Sequence, residues 1–255
     1  MVELPGSYPF ADDLRAVLFC DFDGTLTLAD IGTTLLRRYS SRAQELEQRL
    51  QQCQLSVLEY YRQAIQELPP ELTPEEIAAF AQTIGLRPYV RELIAYCHHQ
   101  GIGVAIVSDG FDAYILPLLA AVELTELPIA CNRLKWSYSR LRAEFPWAYE
   151  SCQETCPSPY PCAACKRAAL LSWTPPELPI LYVGDGLSDL CPAYYADFVF
   201  ARGELAKWCQ QQGIGFFPYE SLFDVRRTID SLLHHRRLSP RYLPRQRRYQ
   251  GWVAE

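Results

Sequence analysis

Ala16-Val17-Leu18-Phe19-Cys20-Asp21-Phe22-Asp23-Gly24-Thr25 is the stretch on which the fold turns. Five apolar residues in a row, with no polar alternation, read as a strand buried on both faces, which is the pattern of a parallel sheet. The run stops at Asp21-Phe22-Asp23-Gly24, where Asp and Gly favour a turn. Two carboxylates therefore sit at the carboxyl end of a buried strand, the edge where open α/β sheets bind their ligands.

Outward from this point the chain alternates. A helix from Tyr89 to Gln100 is stopped by Gly101, a strand covers Gly103 to Ser108, and a helix runs from Asp112 towards Val122 with an interruption near Pro117. Pro128 to Leu134 reads as a strand, Lys135 to Cys165 as an irregular aromatic and Pro-rich stretch, and helix resumes at Lys166. Ile180 to Val183 is a strand ending in Gly184-Asp185, a helix covers Leu187 to Ala196, and two strand-helix units fill Phe198 to Leu233. This rhythm predicts an α/β fold, a doubly wound and mainly parallel sheet.

Asp30 to Gly85 breaks the rhythm. Val57, Leu58, Tyr61, Ala64, Ile65 and Leu68 fall on one helix face. Thr73-Pro74-Glu75-Glu76 is a capping box with Pro at the first helical position, and Gly85 ends the helix that follows. No strand signal interrupts this segment. Residues 28–85 are expected to form a small helical cap on a core built from 14–27 and 86–233, with 234–255 as a basic tail.

The 255 residues, 49% of them hydrophobic, suffice for one substantial core and a small appendage. No apolar run is long enough to span a bilayer, and Met1 to Asp13 lacks the basic-then-apolar start of a secretory signal. The expectation is a cytoplasmic protein without a membrane partner. The net charge of −6 conceals an asymmetry, because His234 to Glu255 holds six Arg and one Glu. That tail lacks a nucleic-acid-binding motif and reads as a solvated or loosely docked terminus, so no nucleic-acid partner is expected. No pattern sets an oligomeric state. Of ten cysteines, Cys152, Cys156, Cys162 and Cys165 crowd together. They read equally as a closed tetrahedral zinc site and as reduced thiols in a proline-stiffened loop, with one or two disulfides as a third reading.

Four strand ends carry polar residues that are expected to meet at one sheet edge: Asp21-Phe22-Asp23, Ser108-Asp109-Gly110, the region before Lys166, and Gly184-Asp185. Carboxylates brought so close repel one another unless a divalent cation sits among them. Oxygen-only ligands suit Mg2+, which keeps waters and takes a phosphate oxygen as a further ligand. With that metal and a lysine neutralising charge, an Asp can attack phosphorus.

In order and in secondary-structure context these elements resemble the haloacid-dehalogenase superfamily. Its phosphatases carry a strand-terminal Asp-x-Asp-Gly-Thr, a later Ser or Thr, a Lys, and Gly-Asp-x-x-x-Asp; the matching residues are Asp21 to Thr25, Ser108, Lys166, and Gly184-Asp185 with Asp189. The resemblance implies that Asp21 is the nucleophile. It implies that Asp23 protonates the leaving alcohol and then activates water, its backbone carbonyl touching the metal. Ser108 and the neighbouring Asp109 and Gly110 would bind phosphate, Lys166 would balance its charge, and Asp185 would bind Mg2+ with Asp189 in support. Dehalogenase members and cation pumps lack the second Asp, which leaves phosphatase or phosphomutase as what the resemblance implies. The helical insert is placed like the cap of the phosphoserine-phosphatase branch, where it excludes water and sets substrate choice. Cys131-Asn132, Phe145-Pro146-Trp147, the cysteine cluster running into Lys166, and Phe200-Ala201-Arg202 resemble the methionine-salvage phosphatases that act on 2-hydroxy-3-keto-5-methylthiopentenyl-1-phosphate. Ser108-Asp109-Gly110 departs from their Ser-Gly-Gly. Another small phosphorylated metabolite (thiamine phosphate, phosphoserine or a phosphocholine-like ester) and a non-catalytic binding module on the same fold stay open as alternatives.

Overall fold

A computed structural model of the chain describes residues 9–10, 13–137, 140–148 and 161–253. Cys152 and Cys156 lie outside the described residues, and with them the zinc expectation. The described strands are β1 (Ala16–Cys20), β2 (Ile102–Phe111), β3 (Ile129–Ser137), β4 (Arg140–Glu144), β5 (Ile180–Gly184), β6 (Phe198–Ala201) and β7 (Phe216–Pro218), joined in one sheet in the order β4-β3-β2-β1-β5-β6-β7. All pairings are parallel except β3 with β4. The expected α/β doubly wound architecture is present.

The apolar run that reads as a two-faced strand occupies the centre. β1, β2, β5 and β6 are buried along their whole length. Leu18 and Cys20 point into one apolar cluster and Val17 and Phe19 into another, as the period of two demands. The first cluster is completed by α5 (Val90–His99), α6 (Asp112–Ala120) and α10 (Leu222–His234), the second by α7 (Lys166–Ser172), α8 (Leu190–Tyr195) and α9 (Gly203–Gln211). Each large aliphatic side chain so buried contributes roughly 1.5–3 kcal/mol.

Between β1 and α5 the chain forms α1 (Ile31–Tyr39), α2 (Ala43–Gln51), α3 (Val57–Gln66) and α4 (Pro74–Ile84). Their starts follow local chemistry. The Asp30 carboxylate accepts the Thr33 N–H, and Ser56 with Glu59 and Thr73 with Glu76 form capping boxes. This insert has a small core of its own around Leu46 and Tyr60, while Ile31, Leu35, Ile65 and Ile77 join the cluster on the sheet. A bridge between Thr27 and Leu86 ties its entry to its exit.

Four expectations need correction. Lys135 to Cys165 is not irregular throughout, because β4 pairs antiparallel with β3, Lys135 facing Arg142 and Leu134 facing Ala143. Pro117 lies inside α6 and does not interrupt it; burial of Ile115, Leu118 and Leu119 around it outweighs the lost backbone bond. Among the described residues no strand end lies directly before Lys166, which is the first residue of α7. The basic tail is not loosely docked: α11 (Tyr242–Val253) packs on α8 and α7, and its Arg248 is fully buried. Among the described residues no helix is long and apolar enough to cross a membrane.

Candidate active site

β1 delivers Asp21 to the carboxyl edge, where its N–H continues the ladder by donating to the Val183 carbonyl at 3.0 Å. The neighbouring strand β5 ends at Gly184 and leads into Asp185 and a short 3-10 turn, Leu187–Asp189. One oxygen from each of Asp21, Asp185 and Asp189 lies within 4.8 Å of the others. Lys166, buried at the start of α7, donates from its ammonium to Asp21 Oδ1 at 2.6 Å, Asp189 Oδ1 at 2.7 Å and Ser188 Oγ at 2.8 Å. Sequence elements 145 residues apart thus meet in one hydrogen-bond network.

The carboxylates are held differently. Asp189 Oδ2 accepts the N–H groups of Asp185 and Gly186, both at 2.9 Å, and its Oδ1 accepts the Tyr182 hydroxyl as well as Lys166. With both oxygens so engaged, Asp189 shapes the loop that presents Asp185. Asp185 is less encumbered: Oδ1 accepts the Thr25 hydroxyl at 3.0 Å, and Arg202 stands 3.7 Å from Oδ2. Arg202 and Arg87 both donate to the Gly24 carbonyl, at 2.6 Å and at 3.1 and 3.2 Å, and so pin the turn that follows Asp23.

Asp23 stands apart from this cluster. Its Oδ1 accepts the N–H of Ile31, the first residue of α1, at 2.9 Å, and its Oδ2 accepts the Tyr114 hydroxyl at 2.7 Å. Burial raises its carboxyl to about 7, helped by the charge of Asp30 and opposed by those two hydrogen bonds. A group balanced near neutrality can both give and take a proton. Gly110 makes room for this pair, since a Cβ there would overlap the Tyr114 hydroxyl and the Asp23 carboxylate.

Charge is unbalanced at the Asp21 end. Burial first, then the Asp189 charge, pushes Asp21 and Asp185 above the usual carboxylate range. Burial pulls the Lys166 ammonium down, but Asp189, Asp21 and Asp109 outweigh it and keep it charged. Three carboxylates therefore face the Lys166 ammonium and, at 3.7 Å from Asp185, the Arg202 guanidinium, an oxygen-only donor set with surplus negative charge. That is a fit for a divalent cation of the Mg2+ kind.

Ser108 is buried, and its Oγ accepts the Gly110 N–H at 2.9 Å within the turn at the end of β2. Asp109 sends its carboxylate to the Ala164 N–H at 2.7 Å, towards the chain leading into Lys166. Of the cysteines before that lysine, Cys162 is half-buried and Cys165 buried, and the Cys165 N–H donates to the Trp147 carbonyl at 2.7 Å. The structure brings Asp21, Lys166, Asp185 and Asp189 together and sets Asp23 beside α1. Tyr114, Tyr182, Ser188 and Arg87 were not legible as site residues. Tyr114 follows Gly110 by one helical turn, a weak signal, and the other three have none.

The chain matches the haloacid dehalogenase-like hydrolase family over residues 18–193. It is 34% identical to a 2-hydroxy-3-keto-5-methylthiopentenyl-1-phosphate phosphatase of Geobacillus kaustophilus, over 86% of this chain and 96% of the relative. A protein of the same name from Brevibacillus brevis is 30% identical over the same shares. A phospho-aspartyl intermediate analogue of phosphoserine phosphatase superposes with a TM-score of 0.61 at 18% identity, covering 86% of this chain and 99% of that one, which is a likeness of fold.

Proposed function

Because the chain belongs to the haloacid dehalogenase-like hydrolases and is an enzyme of the phosphatase type, we propose that it hydrolyses a small phosphate monoester with Mg2+ through a phospho-aspartate on Asp21. The substrate assigned is 2-hydroxy-3-keto-5-methylthiopentenyl-1-phosphate, in a cytoplasmic methionine-salvage step, on the strength of the relatives' names. The observation that carries the reading is the convergence of Asp21, Asp185 and Asp189 at the end of the central strand, with the Lys166 ammonium on Asp21 and Asp189.

In this reading Asp21 Oδ attacks phosphorus as the bond to the leaving alkoxide breaks, and Asp23 gives that oxygen a proton. Asp23, now a carboxylate, takes a proton from the water that attacks phosphorus next, releasing inorganic phosphate and restoring Asp21. Lys166 offsets phosphoryl charge, and the Ser108 hydroxyl, the Asp109 amide and the Gly110 amide, which would turn from Ser108 Oγ to the ligand, cradle the phosphoryl oxygens. Asp21 and Asp185 with their carboxylates, and Asp23 with its backbone carbonyl, would hold Mg2+, while Asp189 holds the loop. The bound cation would neutralise charge between nucleophile and phosphate. Residues 28–85 act as the cap over a core of 14–27 and 86–233, excluding water and shaping the leaving-group pocket.

The test is phosphate release from a panel holding this ester, phosphoserine, thiamine phosphate and phosphocholine, with Mg2+ and with chelator. Release in Mg2+ alone, fastest on the salvage ester, is expected. Silence on every ester sinks the reading; preference for another ester keeps the reaction and moves the substrate.

A further inference from the structure

Asp109 carries a charge that phosphate binding does not want. A carboxylate beside a pocket that must receive a phosphate dianion opposes it, and yet Asp109 is buried at the end of β2. Its oxygen Oδ1 accepts the Ala164 N–H at 2.7 Å across 55 residues of sequence. On its other side, Asn132 of β3 donates from Nδ2 to the Asp109 carbonyl at 2.7 Å. Asn132 is fully buried and its own Oδ1 finds no partner among the described residues, a second cost at the same place. Costs of this sort persist where local rules yield to a site's geometry.

We propose that Asn132 and Asp109 form a strut that positions Lys166: Asn132 fixes the Asp109 backbone, and the Asp109 carboxylate fixes the Ala164 amide two residues before the lysine. The next amide, that of Cys165, is tied to Trp147, so α7 begins at one place only. Lys166 then reaches Asp21, Ser188 and Asp189 together, at 2.6–2.8 Å. The strut rests on the phosphatase reading for its purpose, since a displaced ammonium matters to a phosphoryl transfer, where an error of one ångström costs about 100-fold. Asp109 is a positioning residue here, acting through Ala164 and, beside it, through the Ser188 hydroxyl that also meets the Lys166 ammonium.

Hydrogen exchange at Ala164 and phosphatase kinetics test it together in Asp109→Ala and Asp109→Asn. In the wild type the Ala164 amide should be protected. In Asp109→Ala it should exchange at least about tenfold faster, with kcat down about 10- to 100-fold and KM within about threefold. Asp109→Asn keeps an acceptor oxygen, and should recover most of the protection and most of the lost rate. If Asp109→Ala fails to fold, Asp109→Ser, whose hydroxyl is too short to reach, takes its place. Unchanged Ala164 exchange in the truncated variant overturns the strut, as does wild-type kcat with the amide freed. Equal losses in the Asn and Ala variants with a raised KM assign Asp109 to substrate contact instead and also overturn it. An inactive wild type would sink the phosphatase reading alone, and the exchange data would still decide the strut.

Discussion

Two buried ionic clusters lie on either side of the strand β5, and they are built to opposite rules. At its carboxyl end, Asp21 and Asp189 share the ammonium of Lys166, and Asp185 beside them has Arg202 at 3.7 Å. At its amino end, Asp197 meets one guanidinium, that of Arg248, at 2.9 Å, with both side chains fully buried. Asp197 Oδ2 also accepts the Ile180 N–H, and Oδ1 accepts the N–H of Arg241, while Arg248 donates to the Tyr195 carbonyl. Arg247 stacks over Tyr194 at 3.9 Å and Arg241 over Phe198 at 4.4 Å, adding cation–π contacts to the same seam. The matched pair ties the C-terminal helix to the sheet through Arg248 Nη1, while Nε and Nη2 of the same guanidinium find no partner among the described residues. The unbalanced cluster is left with negative charge that a cation or a proton must meet. Excess charge of one sign at a sheet's carboxyl edge marks a site, whereas charge matched one to one marks a structural seam.

The comparison is broken most severely at Asp21. Asp21→Asn should lower kcat on the order of 10⁴-fold or more, as loss of a nucleophile does. It should leave the metal-free protein as stable as the wild type, because one of three mutually repelling carboxylates has gone. A large drop in melting temperature in that variant would mean that the cluster is structural after all. At the other cluster the outcome should invert. Arg248→Ala strands the buried Asp197 charge, and should cost about 3–5 kcal/mol of stability by denaturant melt, with kcat per folded molecule near that of the wild type. Arg248→Met, which refills the volume, should cost less than the Ala variant; equal costs would show that packing, not charge, holds the seam.

A smaller effect sharpens the same contrast. Mg2+ at about 100 times its dissociation constant should stabilise the wild type by about 2.7 kcal/mol. Asp185→Asn should abolish most of that gain, and Arg248→Met should keep it. An Mg2+ response that survives Asp185→Asn would place the cation elsewhere. The smallest expected change is at Tyr114, which lies outside both clusters and only orients Asp23. Tyr114→Phe should lower kcat about tenfold, worth about 1.4 kcal/mol of barrier, without changing the Mg2+ response. A null effect would release Tyr114 from the site.

What was legible in the sequence had a local or periodic cause. Ala16–Cys20 could only be a two-faced buried strand, and Thr73-Pro74 and Gly85 bracket α4 by capping chemistry that needs no tertiary contact. Asp21, Ser108 and Asp185 were readable because parallel strands deliver their ends to one edge, and Lys166 because it falls in its place in the order of the resembled motifs. β4 was missed although Leu141 alternates with exposed Arg140 and Arg142, since a short, charged edge strand resembles a loop until its partner is known. Arg248 was misread because six arginines in a polar tail average to a solvated segment, and only Asp197, 51 residues away, makes one of them a core residue. Periodicity, caps and motif order are properties of neighbours along the chain, so the sequence by itself determined the layers, the insert and the carboxylate edge. The tertiary structure alone decided which oxygen of Asp189 faces Lys166, where Asp109 spends its charge, and which arginine is buried, because each depends on a partner that folding brings from far along the chain.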